Sequence, residues 1–154
     1  GVWGSWWAAA VHEPRKPAPP LRLWLGSSRG AMIEQFVNFV IRPPRAEYNP
    51  DQYLWEPEFT LAGRKYKRID LELSNERNQT LKCSHYVPAI IPENTALPCV
   101  IYCHGNSGCR ADANEAAVIL LPSNITLFAL DFAGSGLSGG EYVSLGWHEV
   151  HIHY

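Results

Sequence analysis

CVIYCHGNSG, at residues 99–108, is an apolar run that ends in a glycine-rich turn, and ITLFALDFAGSGLS, at residues 125–138, repeats that layout. A short apolar run bounded by turn residues is typical of a buried β-strand. Between the two runs we predict a helix that begins near Asp112, with Glu115 three residues on as in a capping box, and ends at Pro122. The residues expected to face the sheet are small or apolar: Ala113, Ala116, Ala117 and Leu120. Strand, helix and strand in this order predict a parallel pair joined by a right-handed crossover.

Further elements are predicted upstream of this unit. Residues 65–73 and 80–87, joined by a polar turn, predict an antiparallel hairpin at one edge of the sheet. The run at 99–103 shows no alternation, so we expect that strand to be covered on both faces. Residues 32–41 place apolar side chains at helical spacing, and Pro43 stops the pattern. We expect this short helix to pack on its own domain, with shallow insertion at a membrane surface as the alternative. The pattern indicates an α/β fold.

The two glycine-rich turns resemble those of a known superfamily. A His-Gly turn that leaves a buried strand, followed by a strand that ends in Asp-x-x-Gly-x-Gly-x-Ser, resembles the α/β-hydrolases. The likeness is greatest to their serine aminopeptidase-type acyl hydrolases, and to an uncharacterised plant member among them. It covers residues 32–149, which correspond to the first half of such a domain. The resemblance implies a serine enzyme without a cofactor that cleaves an ester, thioester or amide bond in a small acyl or peptide substrate.

The order of the catalytic parts in this superfamily limits what the chain is expected to do. The oxyanion loop comes first, followed by the nucleophile, the acid and the histidine. The resemblance therefore implies a partial α/β-hydrolase fold, with an antiparallel hairpin, parallel strands and one crossover helix, truncated before the nucleophile elbow. We expect this chain alone to be inactive. The alternatives are a non-catalytic truncated isoform that associates through an open sheet edge, and a gene-prediction fragment without a separate function.

Gly105, Asn106 and Ser107 are the candidate catalytic residues. Acyl transfer places negative charge on the carbonyl oxygen, and serine hydrolases stabilise this charge with backbone N–H groups. By the resemblance, Asn106 supplies the oxyanion amide, Gly105 shapes the turn, and Ser107 is a weaker contributor. The alternative is that these residues form only a tight turn between a strand and a helix.

Five other residues are expected to support this loop. By the resemblance, His104 has a supporting role, because the catalytic base of the family lies late in the chain. Ser138 and its neighbours match G-x-S-x-G, but that motif needs a strand directly before the serine and a helix directly after it. Neither is predicted here. We therefore expect Ser138, together with Asp131, Gly134 and Gly136, to brace the loop through local hydrogen bonds.

Composition and spacing argue against several other functions. A net charge of −2 disfavours nucleic-acid binding. His148, His151 and His153 form an H-x-x-H-x-H cluster, but a single run of sequence lacks the convergence of separate elements that a zinc site needs, so we expect no metal. Four cysteines without a convincing signal peptide predict reduced thiols and a cytoplasmic location, with the plastid as an alternative. Cys99 and Cys103 lie too far apart in an extended strand to form a disulfide.

The chain divides into four predicted segments. Residues 1–31 are rich in tryptophan and proline and show no regular apolar period. We expect them to be a disordered or artefactual extension; an organelle transit peptide is the alternative, because basic residues outnumber the single acid. Residues 32–64 are the N-terminal helix and connector, residues 65–149 the hydrolase half, and residues 150–154 a divergent tail. No apolar run reaches the ~20 residues needed to span a bilayer, so no transmembrane segment is expected.

Overall fold

The computed structural model describes residues 29–147, Glu149 and the backbone of Ile152–His153. Contacts divide the chain into one unit at Gly1–Met32 and a second at Ile33–Tyr154. The expectations for residues 1–28, and those that rest on the side chains of His148, His151 and His153, lie outside the described residues. None of the helices within the described ranges combines the length and the hydropathy needed to cross a membrane.

The described chain contains three α-helices, two short 3-10 turns and six strands. The helices are α1 (Arg29–Ile41), α2 (Pro50–Tyr53) and α3 (Asn114–Leu120), and 3-10 turns at Arg110–Ala113 and Leu121–Ser123 flank α3. The strands are β1 (Glu58–Leu61), β2 (Arg64–Asn75), β3 (Thr80–Pro88), β4 (Cys99–Cys103), β5 (Thr126–Leu130) and β6 (Ile152–His153). The strand predicted at 99–103 has the observed bounds, and the hairpin strands are slightly longer than predicted.

The strands form one mixed sheet in the order β1-β2-β3-β5-β4, and β6 pairs with β2. β2 and β3 form the antiparallel hairpin, and β4 and β5 form the parallel pair with Cys103 opposite Leu130. Because the strands of this pair are parallel, the loops that follow β4 and β5 leave the sheet at the same edge. The hairpin does not lie at an edge as predicted, because β1 covers the outer side of β2.

The core lies on both faces of the sheet. On one face, Ala113 and Ala117 pack against Tyr86, Leu127 and Ala129. Small alanines allow this close approach of the helix to the sheet. On the other face, a second cluster gathers around the end of β5: Leu73, Leu81, Cys83, Leu130, Phe132 and Ala133. The predicted helix face therefore points toward the sheet, and the core reaches the loop that follows β5.

The predicted start of the crossover helix needs correction. Asp112 is not the residue that caps the helix. It lies inside the 3-10 turn, and its Oδ2 accepts a hydrogen bond from the N–H of Cys109 at 3.1 Å. A short carboxylate at the third position of a turn reaches back to the amide at the start of that turn, so the capping interaction forms three residues earlier than predicted.

Strand β4 and helix α1 are more exposed than predicted. β4 is the last strand in the sheet order, so only β5 pairs with it, and Ile101 remains 65% exposed. Ile33 and Phe36 of α1 are 65% and 69% exposed, so these side chains do not pack on their own domain as expected. The helix is attached at its end, where the carbonyl of Ile41 accepts from the N–H of Val143 at 3.0 Å. The apolar side chains of α1 include the exposed Phe39 beside Val40, and therefore do not form one narrow stripe.

Candidate functional site

The loop after β4 contains a tight turn. The N–H of Gly108 donates to the carbonyl of Gly105 at 3.0 Å, which makes Asn106 and Ser107 the central residues of the turn. Ser107 has a φ of +61°, whereas Asn106 is not among the residues with positive φ. This combination is typical of a type II turn, which usually has glycine or asparagine at the second central position. A serine there adopts an unfavourable backbone conformation.

The turn leaves the backbone amide of Asn106 accessible. Asn106 and Ser107 are both exposed. The N–H of Asn106 makes no hydrogen bond within the part of the chain that the structure describes. Most backbone donors in folded proteins are paired, and this one is free to bind an acceptor brought in from outside. It lies at the carboxyl end of β4, the edge of a parallel sheet at which α/β proteins usually bind their ligands.

His104 connects the two loops. Its Nδ1 donates to the carbonyl of Gly105 at 2.8 Å, and its Nε2 accepts from the N–H of Phe132 at 3.0 Å. The backbone N–H of Phe132 can only donate, so the Nδ1–H tautomer of a neutral ring satisfies both contacts. The imidazole is buried, and its centroid lies 4.6 Å from that of the Phe132 ring. Both ring nitrogens are therefore occupied by backbone groups.

Asp131 is the centre of the second loop and is fully buried. Its Oδ1 accepts from the N–H of Arg110 at 2.6 Å. Its Oδ2 accepts from the Tyr48 hydroxyl at 2.7 Å and from the N–H of Leu137 at 3.0 Å. Burial, followed by the bond to Asp131, raises the pKa of Tyr48 well above its usual range, so the phenol stays protonated and continues to donate. One carboxylate thus connects a residue before the sheet, the start of the crossover helix and the glycine loop.

Ser138 is almost completely buried, and its hydroxyl is occupied. The Oγ donates to the carbonyl of Asp131 at 2.6 Å and accepts from the N–H of Lys82 at 2.9 Å. Bends and a turn follow Ser138, and no helix begins after it within the described residues. In this position, the hydroxyl joins the glycine loop to strand β3.

Two glycines of this loop have positive φ and lie in close contact with their neighbours. At Gly136, with φ +48°, an added Cβ would lie 2.4 Å from Cγ of Asp131. At Gly134, with φ +76°, an added Cβ would lie 2.4 Å from the carbonyl oxygen of Tyr142. A side chain at either position would meet both a strained backbone and an occupied space. Gly136 therefore allows the loop to close around the Asp131 carboxylate, and Gly134 allows it to approach the backbone of Tyr142.

Sequence analysis missed several groups that hold these loops. Tyr48 and Arg110 bind Asp131, the Arg45 guanidinium donates to the carbonyl of Ser138 at 2.9 Å, and Glu149 accepts from the N–H of Ala133 at 2.9 Å. Tyr48 lies 83 residues from Asp131 in sequence. No local pattern connects the two residues, so these partners could not be predicted from a single sequence.

The cysteines and the acidic residues give no sign of a metal site. All four cysteines are free, as expected, and Cys83 and Cys109 are buried. Burial raises the pKa of Cys83 to about 12 and that of Cys109 to about 11, so both thiols are protonated near neutral pH. No cluster of histidine, cysteine, aspartate and glutamate suited to a metal ion occurs among the residues that the structure describes.

Comparisons with known proteins gave structural neighbours only. No family model matches the chain, and no curated protein matches it. Crystal structures of the Pyrococcus furiosus esterase Pf2001 are similar to it in part. Two of them have a TM-score of 0.48, with 26% and 27% identity over 73% and 72% of this chain. A third has a TM-score of 0.42, with 26% identity over 66% of this chain. The matches cover 37%, 38% and 34% of the esterase chains, so this chain spans little more than a third of their length.

Proposed function

We propose that residues 99–140 form the oxyanion-binding part of a serine hydrolase of the α/β type, similar to the serine aminopeptidases. Its substrate is a small acyl or peptide compound with an ester, thioester or amide bond. One observation carries the proposal: the turn at Gly105–Gly108 exposes the Asn106 amide, without an acceptor among the described residues, at the carboxyl end of β4. Four free cysteines favour a reducing compartment such as the cytoplasm.

The geometry of the turn suits the chemistry of acyl transfer. When a nucleophile attacks the carbonyl carbon, negative charge grows on the oxygen, and a fixed N–H group stabilises it without having to reorganise. The Asn106 amide is fixed in this way, because His104 holds the carbonyl of Gly105 on one side and the backbone of Phe132 on the other. Ser107 is a weaker second contributor. His104, whose two nitrogens are occupied, positions the loop and does not act as the base.

The hydrogen bonds of Ser138 lead to a prediction about the chain by itself. Its Oγ is buried and bound to two backbone groups, so it cannot attack a substrate or an inhibitor. We expect no stoichiometric labelling of the purified 154-residue chain by a fluorophosphonate probe, measured by intact mass. Ser138→Ala serves as the matched control. Labelling of the wild type that disappears in this variant would show that Ser138 is a nucleophile, contrary to the proposal.

The oxyanion role itself is tested by removing one backbone N–H. Asn106 is the first central residue of a type II turn, where proline fits well, so Asn106→Pro deletes the donor and keeps the turn. The assay measures hydrolysis of p-nitrophenyl esters by the longest active protein that the gene encodes. In that protein, we expect Asn106→Pro to lower kcat by about 10²- to 10³-fold. Asn106→Ala keeps the N–H and should retain most of the activity. An equal loss in both variants would assign the effect to the side chain and contradict the proposal.

A second candidate function rests on strand β4. It forms the edge of the sheet, Ile101 and Val100 are exposed, and one side of its backbone is unpaired within the described sheet. Such an edge can add a strand from another chain. The chain would then act as a non-catalytic interaction module. If no product of the gene hydrolyses esters, this second candidate is favoured over the first.

A further inference from the structure

A half-open cavity of about 230 Å³ is lined by residues of α2, β2 and β3, of the 3-10 turn before the crossover helix, and of the loop after β5. Its charged lining residues are Asp70, Glu72, Lys82 and Arg110, and its apolar lining includes Leu71 and Leu137. Three of these charged side chains have a hydrogen-bond or ion-pair partner, and the fourth, Arg110, has none among the described residues.

Both acidic side chains of the cavity are already paired. Oδ2 of Asp70 accepts from the Arg68 guanidinium at 2.8 and 3.0 Å, and its Oδ1 accepts from Ser84 at 2.6 Å. Glu72 forms an ion pair with Lys82. These two carboxylates are thus engaged by other groups, and neither of them binds Arg110.

Arg110 is the cation of this cavity without an acidic partner in the described part of the chain. It is only 4% exposed, and its Nε is enclosed without a hydrogen-bond acceptor. Its backbone N–H binds Asp131, but its guanidinium forms no ion pair and no hydrogen bond with any described residue. Buried charged groups in proteins are normally paired, because removing an ion from water is costly. The guanidinium therefore requires an acceptor that the described residues do not supply.

A second unpaired donor lies within the electrostatic range of Arg110. Tyr86 is fully buried, and its hydroxyl has no hydrogen-bond partner. Burial raises the pKa of Tyr86 to about 12; the charge of Arg68 and, less strongly, that of Arg110 oppose this rise, and the charge of Asp70 adds to it. An arginine and a phenol are both donors at neutral pH, so the Tyr86 hydroxyl does not supply the acceptor that the Arg110 guanidinium lacks.

We propose that this cavity binds a small oxyanion, a carboxylate or phosphate group, through the guanidinium of Arg110. The planar fork of arginine matches two oxygens of either group, and the charge of this buried guanidinium strengthens the hydrogen bonds. The proposal is independent of the oxyanion turn, because it concerns a side chain and not the Asn106 amide.

The test is a titration of the full chain with sodium phosphate or sodium acetate, at constant ionic strength set with sodium chloride. Thermal unfolding is recorded for the wild type, for Arg110→Met, and for Arg77→Met as a control at an exposed arginine. We expect a saturable rise in Tm for the wild type and for Arg77→Met. In Arg110→Met, the apparent affinity should fall by about tenfold or more, as for the loss of a charge-assisted hydrogen bond. A response to phosphate alone or to acetate alone identifies the preferred class of anion.

A second measurement does not depend on the stability of any variant. In wild-type protein labelled with ¹⁵N, the Nε–Hε signal of Arg110 should shift with the same saturation curve as the Tm. Phosphate also stabilises proteins without binding, and that effect would be equal in all three proteins. Equal stabilisation of all three, or an Arg110 signal that does not respond to either anion, would overturn the proposal.

Discussion

Replacing Asp131 by alanine is expected to lower the free energy of unfolding by about 3 to 6 kcal/mol, because three donors lose their acceptor at once. These donors are the N–H groups of Arg110 and Leu137 and the hydroxyl of Tyr48. Each unsatisfied buried donor costs about 1 to 3 kcal/mol, and the contacts of Tyr48 and Leu137 are only partly buried, so the total lies below three times the upper value. A loss of this size is a large part of the stability of a small domain.

Urea unfolding monitored by circular dichroism measures this effect. Asp51→Ala is the matched control, because Asp51 is an exposed aspartate on α2 whose side chain forms no hydrogen bond or ion pair with another described residue. We expect that variant to change stability by less than about 0.5 kcal/mol. Asp131→Asn should fall between the two, since an amide accepts with its oxygen but presents N–H groups to the remaining donors. Equal stability of Asp131→Ala and Asp51→Ala would show that the carboxylate does not hold the loops together.

Gly136→Ala is expected to destabilise the chain by about 3 kcal/mol or more, because it combines backbone strain with steric overlap. The φ of +48° is unfavourable for alanine, and the added Cβ would lie 2.4 to 2.7 Å from the atoms of the Asp131 carboxylate. The carboxylate cannot move away without weakening its bonds to Arg110 and Tyr48. The substitution should therefore disturb the same network as the loss of Asp131.

Gly63→Ala separates the two causes. Gly63 has a φ of +75°, but no atom lies within 4 Å of an added Cβ. It tests the backbone strain without the overlap, and we expect a loss of about 1 kcal/mol. The same urea measurement compares both variants. If Gly63→Ala and Gly136→Ala cost the same, the close approach at Asp131 has no energetic consequence, and the loop is more adaptable than its geometry indicates.

Asp131→Ala and Gly136→Ala both disturb the hydrogen bonds that hold the candidate oxyanion turn in place. The second loop reaches that turn through the contact between the N–H of Phe132 and His104. Asp131 fixes the first residues of that loop, and Ser138 fixes it to strand β3. A fixed amide is effective only if its position is held to within a fraction of an ångström, so the proposed chemistry depends on residues that do not touch the substrate.

Local patterns were sufficient for four of the six strands and for the crossover helix. The apolar run at 99–103, the polar turn of the hairpin and the alanines of the crossover helix each predict an element from a few neighbouring residues, and each is present. β1 was missed because Glu58–Leu61 has only four residues and follows a proline-bounded segment. The expected packing of α1 was wrong, since apolar residues at helical spacing do not specify a surface on which to pack.

By itself, the sequence determined the strand–turn–helix–strand unit and the two glycine-rich turns, because glycine content and apolar period act over a few residues. The expectation that Asn106 supplies an amide came from the family resemblance of these turns. Only the tertiary structure decided that Tyr48, Arg110 and Lys82 converge on Asp131 and Ser138, and that the Arg110 guanidinium has no partner among the described residues. The physical reason is distance along the chain. Hydrogen bonds and burial at these positions depend on segments tens of residues apart, which meet only when the sheet has formed.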